Sequence, residues 1–177
     1  MAGRDLSEFQ DPRNVDYYGM DFAIIRVSHD TKEDKQWRAH VWCCGVAHKP
    51  IGFYHALETA NVEAEAHFFA GLINAVTYTY GCYIDAARGD LPSSLISTGT
   101  MDRFRSVIDA GIYVNGSALD SMPEYKRFER IWFAGSKLPA RWLMWQSGQN
   151  VGIDVDWAAD LGGILKPQWS AFNWPNP

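Results

Sequence analysis

A chain of 177 residues has single-domain length and is large enough to bury a substantial core. With 47% hydrophobic and 21% charged residues it is not a disordered, collagen-like or coiled-coil sequence. A net charge of −5 argues against the basic face that a nucleic-acid partner requires, and the aromatic share of 14%, with eight Trp, exceeds what core packing usually asks for.

The start, Met1-Ala2-Gly3-Arg4-Asp5, turns polar at residue 4, and no apolar stretch follows that resembles a secretory leader or a membrane span. The expectation is synthesis in the cytoplasm, no membrane partner and, by default, a monomer. Three cysteines are an odd count, and Cys43 and Cys44 are neighbours that point in different directions on one helix, so no disulfide framework is expected. Small buried hydrophobes in a reducing compartment are the simpler use for them. His29, His40, His48, His55 and His67 show no metal-ligand spacing, and neither a metal nor a cofactor is expected.

In chain order, an apolar run at 3–6 precedes candidate strands at 22–27, 52–57, 81–86, 111–115, 130–134, 143–146 and 155–157. Several start at or just after glycine. Residues 34–48 read as a helix with Trp37, Val41, Cys44 and Ala47 on one face, ending near Lys49-Pro50. Val62, Ala66, Phe69, Ile73 and Val76 recur in alternating steps of four and three, a single apolar stripe. Met101, Phe104, Val107 and Ile108 form a third stripe, and helical signals fade after residue 130. Strands alternating with helices predict an α/β fold of parallel βαβ units. Eight candidate strands predict one irregular (β/α) barrel, TIM-barrel-like but with reduced helices, because a full barrel takes about 250 residues. No repeat or linker divides the chain, so residues 1–177 read as one domain.

Barrel chemistry sits at the C-terminal ends of the strands, a rule that selects Asp5, Asp85 and the pair Asp154 and Asp156. Any one of these acids would serve equally well as a cap or a turn residue. Residues 85 and 87 share one side of an extended strand. A glycosidase would use acids at both, one to hold or attack and one to donate a proton, yet the second position is Ala87. Aromatic and polar residues end other strands: Tyr54 with His55, Tyr113, Trp132, and Trp145 with Gln146. A mouth lined by such rings above carboxylates suits a sugar, with packing of core layers as the competing use of each ring.

Taken in order, these residues resemble the family 25 glycoside hydrolases, the Chalaropsis-type lysozymes or N,O-diacetylmuramidases. Asp5-Leu6-Ser7-Glu8-Phe9-Gln10 is similar to the family's Asp-x-Ser-x-(Trp/Phe)-Gln opening. Phe22-Ala23-Ile24-Ile25-Arg26-Val27-Ser28 and Gly52-Phe53-Tyr54-His55 follow, then Glu63-Ala64-Glu65-Ala66 with Phe68-Phe69. Gly111-Ile112-Tyr113, Ile131-Trp132-Phe133-Ala134, Met144-Trp145-Gln146 and Val155-Asp156 complete a series that covers nearly the whole chain.

The resemblance implies a barrel short of helices and cleavage of the β-1,4 bond between N-acetylmuramic acid and N-acetylglucosamine in peptidoglycan. Asp5 and Asp156 match the family's first and last mouth aspartates, which hold substrate and tune the site. Asp85 matches the first acid of an Asp-x-Glu motif and would act on the substrate's own acetamido group. The second acid of that motif is the proton donor, and Ala87 stands in its place. Glu58 and Asp90 are the nearest substitute acids in sequence, although spacing alone places neither over the glycosidic oxygen. Two origins of Ala87, an introduced substitution that traps substrate and a natural loss of catalysis, are equally compatible with the sequence.

Three readings follow: a muramidase of phage-lysin type lacking its donor, a barrel that grips glycan without cutting it, and a barrel enzyme on another acidic substrate. The resemblance favours the first, with a lysin released onto the wall or carried on the virion. No separate wall-binding module is expected after Asp156. The aromatic stretch 168–175 is expected to pack across the barrel bottom.

Overall fold

The computed structural model describes residues 1–74, 82–85, 97–115, 124–125, 128, 130–134, 144–150 and 153–158. The chain opens with β1 (Ala2–Leu6), a single 3₁₀ turn (Pro12–Asn14), β2 (Phe22–His29) and the short β3 (Lys32–Glu33). Helix α1 (Trp37–Val46), β4 (Ile51–Ala56), α2 (Val62–Asn74), β5 (Cys82–Asp85) and α3 (Thr98–Arg105) follow. Strands β6 (Gly111–Asn115), β7 (Ile131–Ala134), β8 (Met144–Asn150) and β9 (Ile153–Ala158) complete the described elements.

The strands form one curled sheet in the order β1-β9-β8-β7-β6-β5-β4-β2-β3, in which β1 also pairs with β2. The ladders from β1 to β2 and from β2 through β4, β5, β6, β7 and β8 are parallel. An all-parallel sheet was the expectation, and two elements depart from it. β9 runs antiparallel to both β8 and β1, because only residues 151–152 separate it from β8 and a connection that short permits only a hairpin. β3 turns back on β2 through Asp30-Thr31, with Asp30 at φ 49, the left-handed backbone that a tight turn demands.

Period-two alternation divides the strands into two faces. Ala23, Ile25 and Val27 of β2, Phe53 of β4, Ile84 of β5, Ile112 and Val114 of β6, and Ile131 and Phe133 of β7 share one core cluster. That cluster includes Trp37, Val41 and Cys44 of α1, Val62, Ala66, Phe69 and Ile73 of α2, and Met101 and Phe104 of α3. Each fully buried side chain of this size contributes about 1.5–3 kcal/mol. The alternate residues, among them Phe22, Ile24, Tyr54, Asp85, Tyr113 and Trp132, point to the concave side. There Gly3 lies against Phe22, and a Cβ on Gly3 would come within 2.4 Å of the ring.

The predicted helices form with shifted ends. α1 starts at Trp37 rather than residue 34 because Asp34 is buried and spends its carboxylate elsewhere, one oxygen accepting the Gln36 N–H. α3 starts at Thr98, where the Ser97 hydroxyl accepts the Thr100 N–H as an N-cap, and Val107 and Ile108 pack beyond its last residue. Among the described residues no helix is long and apolar enough to cross a membrane.

Candidate active site

The sheet register sets the positions of the concave-face side chains. Ala56, Asp85, Tyr113, Trp132 and Met144 are successive Cα partners across β4, β5, β6, β7 and β8. Gln146 pairs with Asp156, and Asp156 pairs with Gly3 of β1. Asp5 is opposite Asp154.

Four of the sequence-selected residues join in one polar group. The Tyr113 hydroxyl donates to Gln146 Oε1 at 2.7 Å, and Gln146 Nε2 approaches Asp5 Oδ2 at 3.5 Å, the outer limit of a hydrogen bond. Burial raises the Tyr54 phenol well above its usual pKa, reinforced by the Asp5 charge, against the opposing pull of Arg26; the Asp85 charge and a hydrogen bond to Asp5 add to the rise. Tyr54 therefore stays protonated beside the Asp5 charge. Asp5, Asp85, Tyr113 and Gln146 keep partial exposure, as residues that meet a ligand must. Tyr54 and Trp132 are 6% and 1% exposed, so they form the floor of the site rather than its walls. Trp132 stands edge-to-face with Tyr54 at 5.5 Å and with Tyr113 at 4.8 Å. Such ring pairs add about 0.5–1.5 kcal/mol each and fix the rotamers of both tyrosines.

Ala87 and Asp90 lie outside the described residues, as does the stretch 168–175. Trp145 and Asp156 are placed by their backbone register alone, their side chains being outside what is described. Among the described residues, no group of three His, Cys, Asp or Glu side chains is arranged to hold a metal ion.

Sequence reading passed over a second polar group on β2. Arg26 interrupts the apolar run from Phe22 to Val27 and is 2% exposed, so its charge requires partners. Asp34 Oδ2 accepts from its Nε at 2.9 Å and Glu8 Oε1 from its Nη2 at 3.1 Å, while the Phe9 ring lies over the guanidinium at 4.9 Å. Asp34 also accepts the Glu8 N–H, which ties the loop after β1 to the segment between β3 and α1. A charge set between Ile24-Ile25 and Val27 was the available signal.

His55, grouped with Tyr54 in the sequence as a strand-end ring, faces the helices instead. It is fully buried, packs on Phe69 and Phe104 at 5.6 and 5.3 Å, and lies between Ser28 Oγ and Glu65 Oε2, each at 2.8 Å. Glu65, fully buried on α2, also accepts the N–H groups of Glu58 and Thr59 and the Thr59 hydroxyl. Burial lowers the His55 pKa. For Glu65, burial would raise the pKa, but the bonds from His55, Thr59 and Glu58 outweigh it and hold the carboxyl below its ordinary value. With no exposure, this Ser-His-Glu series cannot reach a substrate; its effect is to fix the loop after β4.

No protein-family model matches the sequence, nor does any curated protein sequence. Solved structures do match. The CTP1L endolysin is 22% identical with a TM-score of 0.71, the match covering 90% of this chain and 66% of the endolysin, so the chain spans about two thirds of that protein. A muramidase from Trichobolus zukalii is 19% identical with a TM-score of 0.72, over 90% of this chain and 94% of the muramidase. A family 25 glycosyl hydrolase from Bacillus anthracis is 16% identical with a TM-score of 0.71, over 96% and 90%. The chain has the α/β fold, with a curled parallel sheet, of the family 25 glycosyl hydrolases.

Proposed function

We propose that the chain is a peptidoglycan-directed protein of the lysozyme type, built to hold a glycan strand across the concave face of its sheet. Its bond is the β-1,4 linkage from N-acetylmuramic acid to N-acetylglucosamine, and Ala87 in the donor position makes it a slow cutter. The ring of pairings through β1, β2, β4, β5, β6, β7, β8 and β9 supports reading the sheet as an irregular eight-stranded barrel. In this reading residues 1–177 act as one catalytic-type domain, released onto the wall as a phage lysin or carried on a virion. The similarity to an endolysin and to a muramidase supports it.

The observation that carries the reading is the convergence of Asp5, Tyr54, Tyr113 and Gln146 beside Asp85. Gln146 points a donor at Asp5 and the protonated Tyr54 lies beside it, which would turn the carboxylate toward the sugar. Asp85, one strand from Tyr113, would face the acetamido group and the positive charge that develops as the glycosidic bond breaks. Asp156 would close the ring from β9, opposite Gln146 on β8. Tyr113 would give the sugar an apolar surface, braced from beneath by the buried Trp132 and Tyr54. What this arrangement lacks is a carboxylic acid at position 87 to protonate the leaving oxygen, a role worth about 10²–10⁴-fold.

Ala87 favours a second reading, a barrel that binds glycan without cutting it. Lysis of purified cell walls, measured for the unaltered chain and for Ala87→Glu, separates the two. The lysozyme reading predicts slow clearing that rises by roughly 10²–10⁴-fold on restoring the acid, and loss of that gain on adding Asp85→Asn. Wall binding by both proteins with clearing by neither would establish the binding reading. Rapid clearing by the unaltered chain would remove position 87 from the donor role.

A further inference from the structure

A one-residue irregularity in β2 turns a histidine toward the substrate face. Arg26 pairs with Tyr54, but Ser28 pairs with His55 and His29 with Ala56, so β2 spends one residue more than β4 over this stretch. Bulges of this kind re-aim side chains near sites. Ser28 consequently sits on the helix side, bonded to His55, and His29 takes the side of Arg26, Tyr54 and Ala56. Without the extra residue, strict alternation from Arg26 would have sent His29 outward.

In its new position His29 lies between two carboxylates. Its Nδ1 is 3.2 Å from Glu58 Oε1, an ion-pair contact whose alignment falls short of a hydrogen bond, and its Nε2 is 3.8 Å from Glu8 Oε1. The three side chains retain 20–22% exposure. Glu58 is held in place from behind: Glu65 accepts its N–H, and Asp85 O accepts the N–H of the preceding Leu57. Ala56 is the shared Cα partner of His29 on one side and Asp85 on the other. The two therefore stand two strand spacings apart, roughly 9–10 Å between Cα atoms, over the smallest of side chains. Both side chains leave the same face of the sheet, as groups acting on either side of one glycosidic bond must.

We propose that His29, positioned by Glu58, is the proton donor that this chain uses in place of the acid missing at Ala87. The inference rests on the lysozyme reading above. The imidazolium gives its Nε2 proton to the leaving glycosidic oxygen, and the C1–O bond breaks with its electron pair on that oxygen. The charge at C1 is opposed by the Asp85 carboxylate. Water then bonds to C1 and returns a proton to Nε2, so one water is consumed and the imidazolium is restored. Glu58 is a positioning residue that keeps Nδ1 turned away from the substrate, and the buried Ser28, His55 and Glu65 hold the loop that carries it.

The test is a double-mutant cycle read as release of reducing ends from purified walls, with circular dichroism and wall sedimentation as controls for folding and binding. His29→Gln is expected to lower the turnover of the unaltered chain by roughly 10²-fold, with wall binding retained. In the Ala87→Glu background the same change is expected to cost a much smaller factor, because the restored acid supplies the proton. Glu58→Gln should lower turnover, and Glu58→Asp should recover part of it. An equal loss from His29→Gln in both backgrounds would show a merely structural role and overturn the proposal. So would no release by the unaltered chain alongside strong release by Ala87→Glu, a result that leaves the lysozyme reading standing. No release by either protein would overturn both.

Discussion

Glu65→Gln removes one charge and one acceptor oxygen from a buried junction while preserving its shape. Each Glu65 oxygen accepts two bonds: Oε2 those from His55 Nε2 and the Glu58 N–H, Oε1 those from the Thr59 N–H and hydroxyl. An amide can satisfy only one of these pairs with its oxygen. If its nitrogen replaces Oε2, neutral His55 can switch to accepting, with Nδ1–H toward Ser28, but the Glu58 N–H is left facing another donor. If the nitrogen replaces Oε1, the Thr59 hydroxyl can turn to accept, but the Thr59 N–H is orphaned. Either orientation leaves one backbone donor unmatched, at about 1–3 kcal/mol, and weakens the remaining bonds from charge-assisted to neutral. The sum is about 2–4 kcal/mol, which lowers Tm by about 5–15 °C for a chain of this size. Thermal melts by circular dichroism measure it, and faster hydrogen exchange at the Glu58 and Thr59 amides locates it. A Tm change under about 2 °C would refute the reasoning, since it would mean that the carboxylate holds nothing the amide cannot.

Three further outcomes follow from the same structure. Arg26→Leu leaves the fully buried Asp34 carboxylate without its guanidinium and should cost about 3–5 kcal/mol in denaturant unfolding, whereas a loss below about 1 kcal/mol would contradict the pairing. Gly3→Ala drives a methyl group into the Phe22 ring on the concave side and should cost about 1–3 kcal/mol in the same assay. Stability should fall on acidification: burial holds His40 and His55 below the usual 6.5, and Glu65 lies below 4.5. In each case the unfolded chain binds the proton more readily, so the contribution is complete above about pH 6.5 and is lost as pH falls, first through the histidines and then through Glu65. A Tm that stays flat from pH 7 to pH 4 would contradict this.

Most strands were legible as short β-branched or aromatic runs bounded by turn residues, and their alternation with three apolar stripes identified the α/β class; β3, Lys32-Glu33, carries no such run and was not expected. The direction of β9 was not legible, because Val155 and its neighbours look alike in either sense and the expected strands 143–146 and 155–157 end short of the two-residue link that makes the hairpin. Asp5, Tyr54, Tyr113 and Gln146 were each visible as strand-end residues. Their meeting was not, since the Gln146 to Asp5 contact spans 141 positions. His29 was invisible for a different reason: a period-two reading has no sight of an extra residue, which shows only when Ser28 and His29 are set against their partners on β4. Arg26 carried a signal, a charge within an apolar run, that a search for acids passed over.

Identification of the newly formed sugar ends tests the central claim most directly. Purified peptidoglycan digested with the Ala87→Glu protein, then reduced and analysed by mass spectrometry, is predicted to yield fragments ending in reduced N-acetylmuramic acid. Addition of Asp85→Asn should suppress them. Fragments ending in reduced N-acetylglucosamine, or released stem peptides with intact glycan, would contradict the assignment of bond and site.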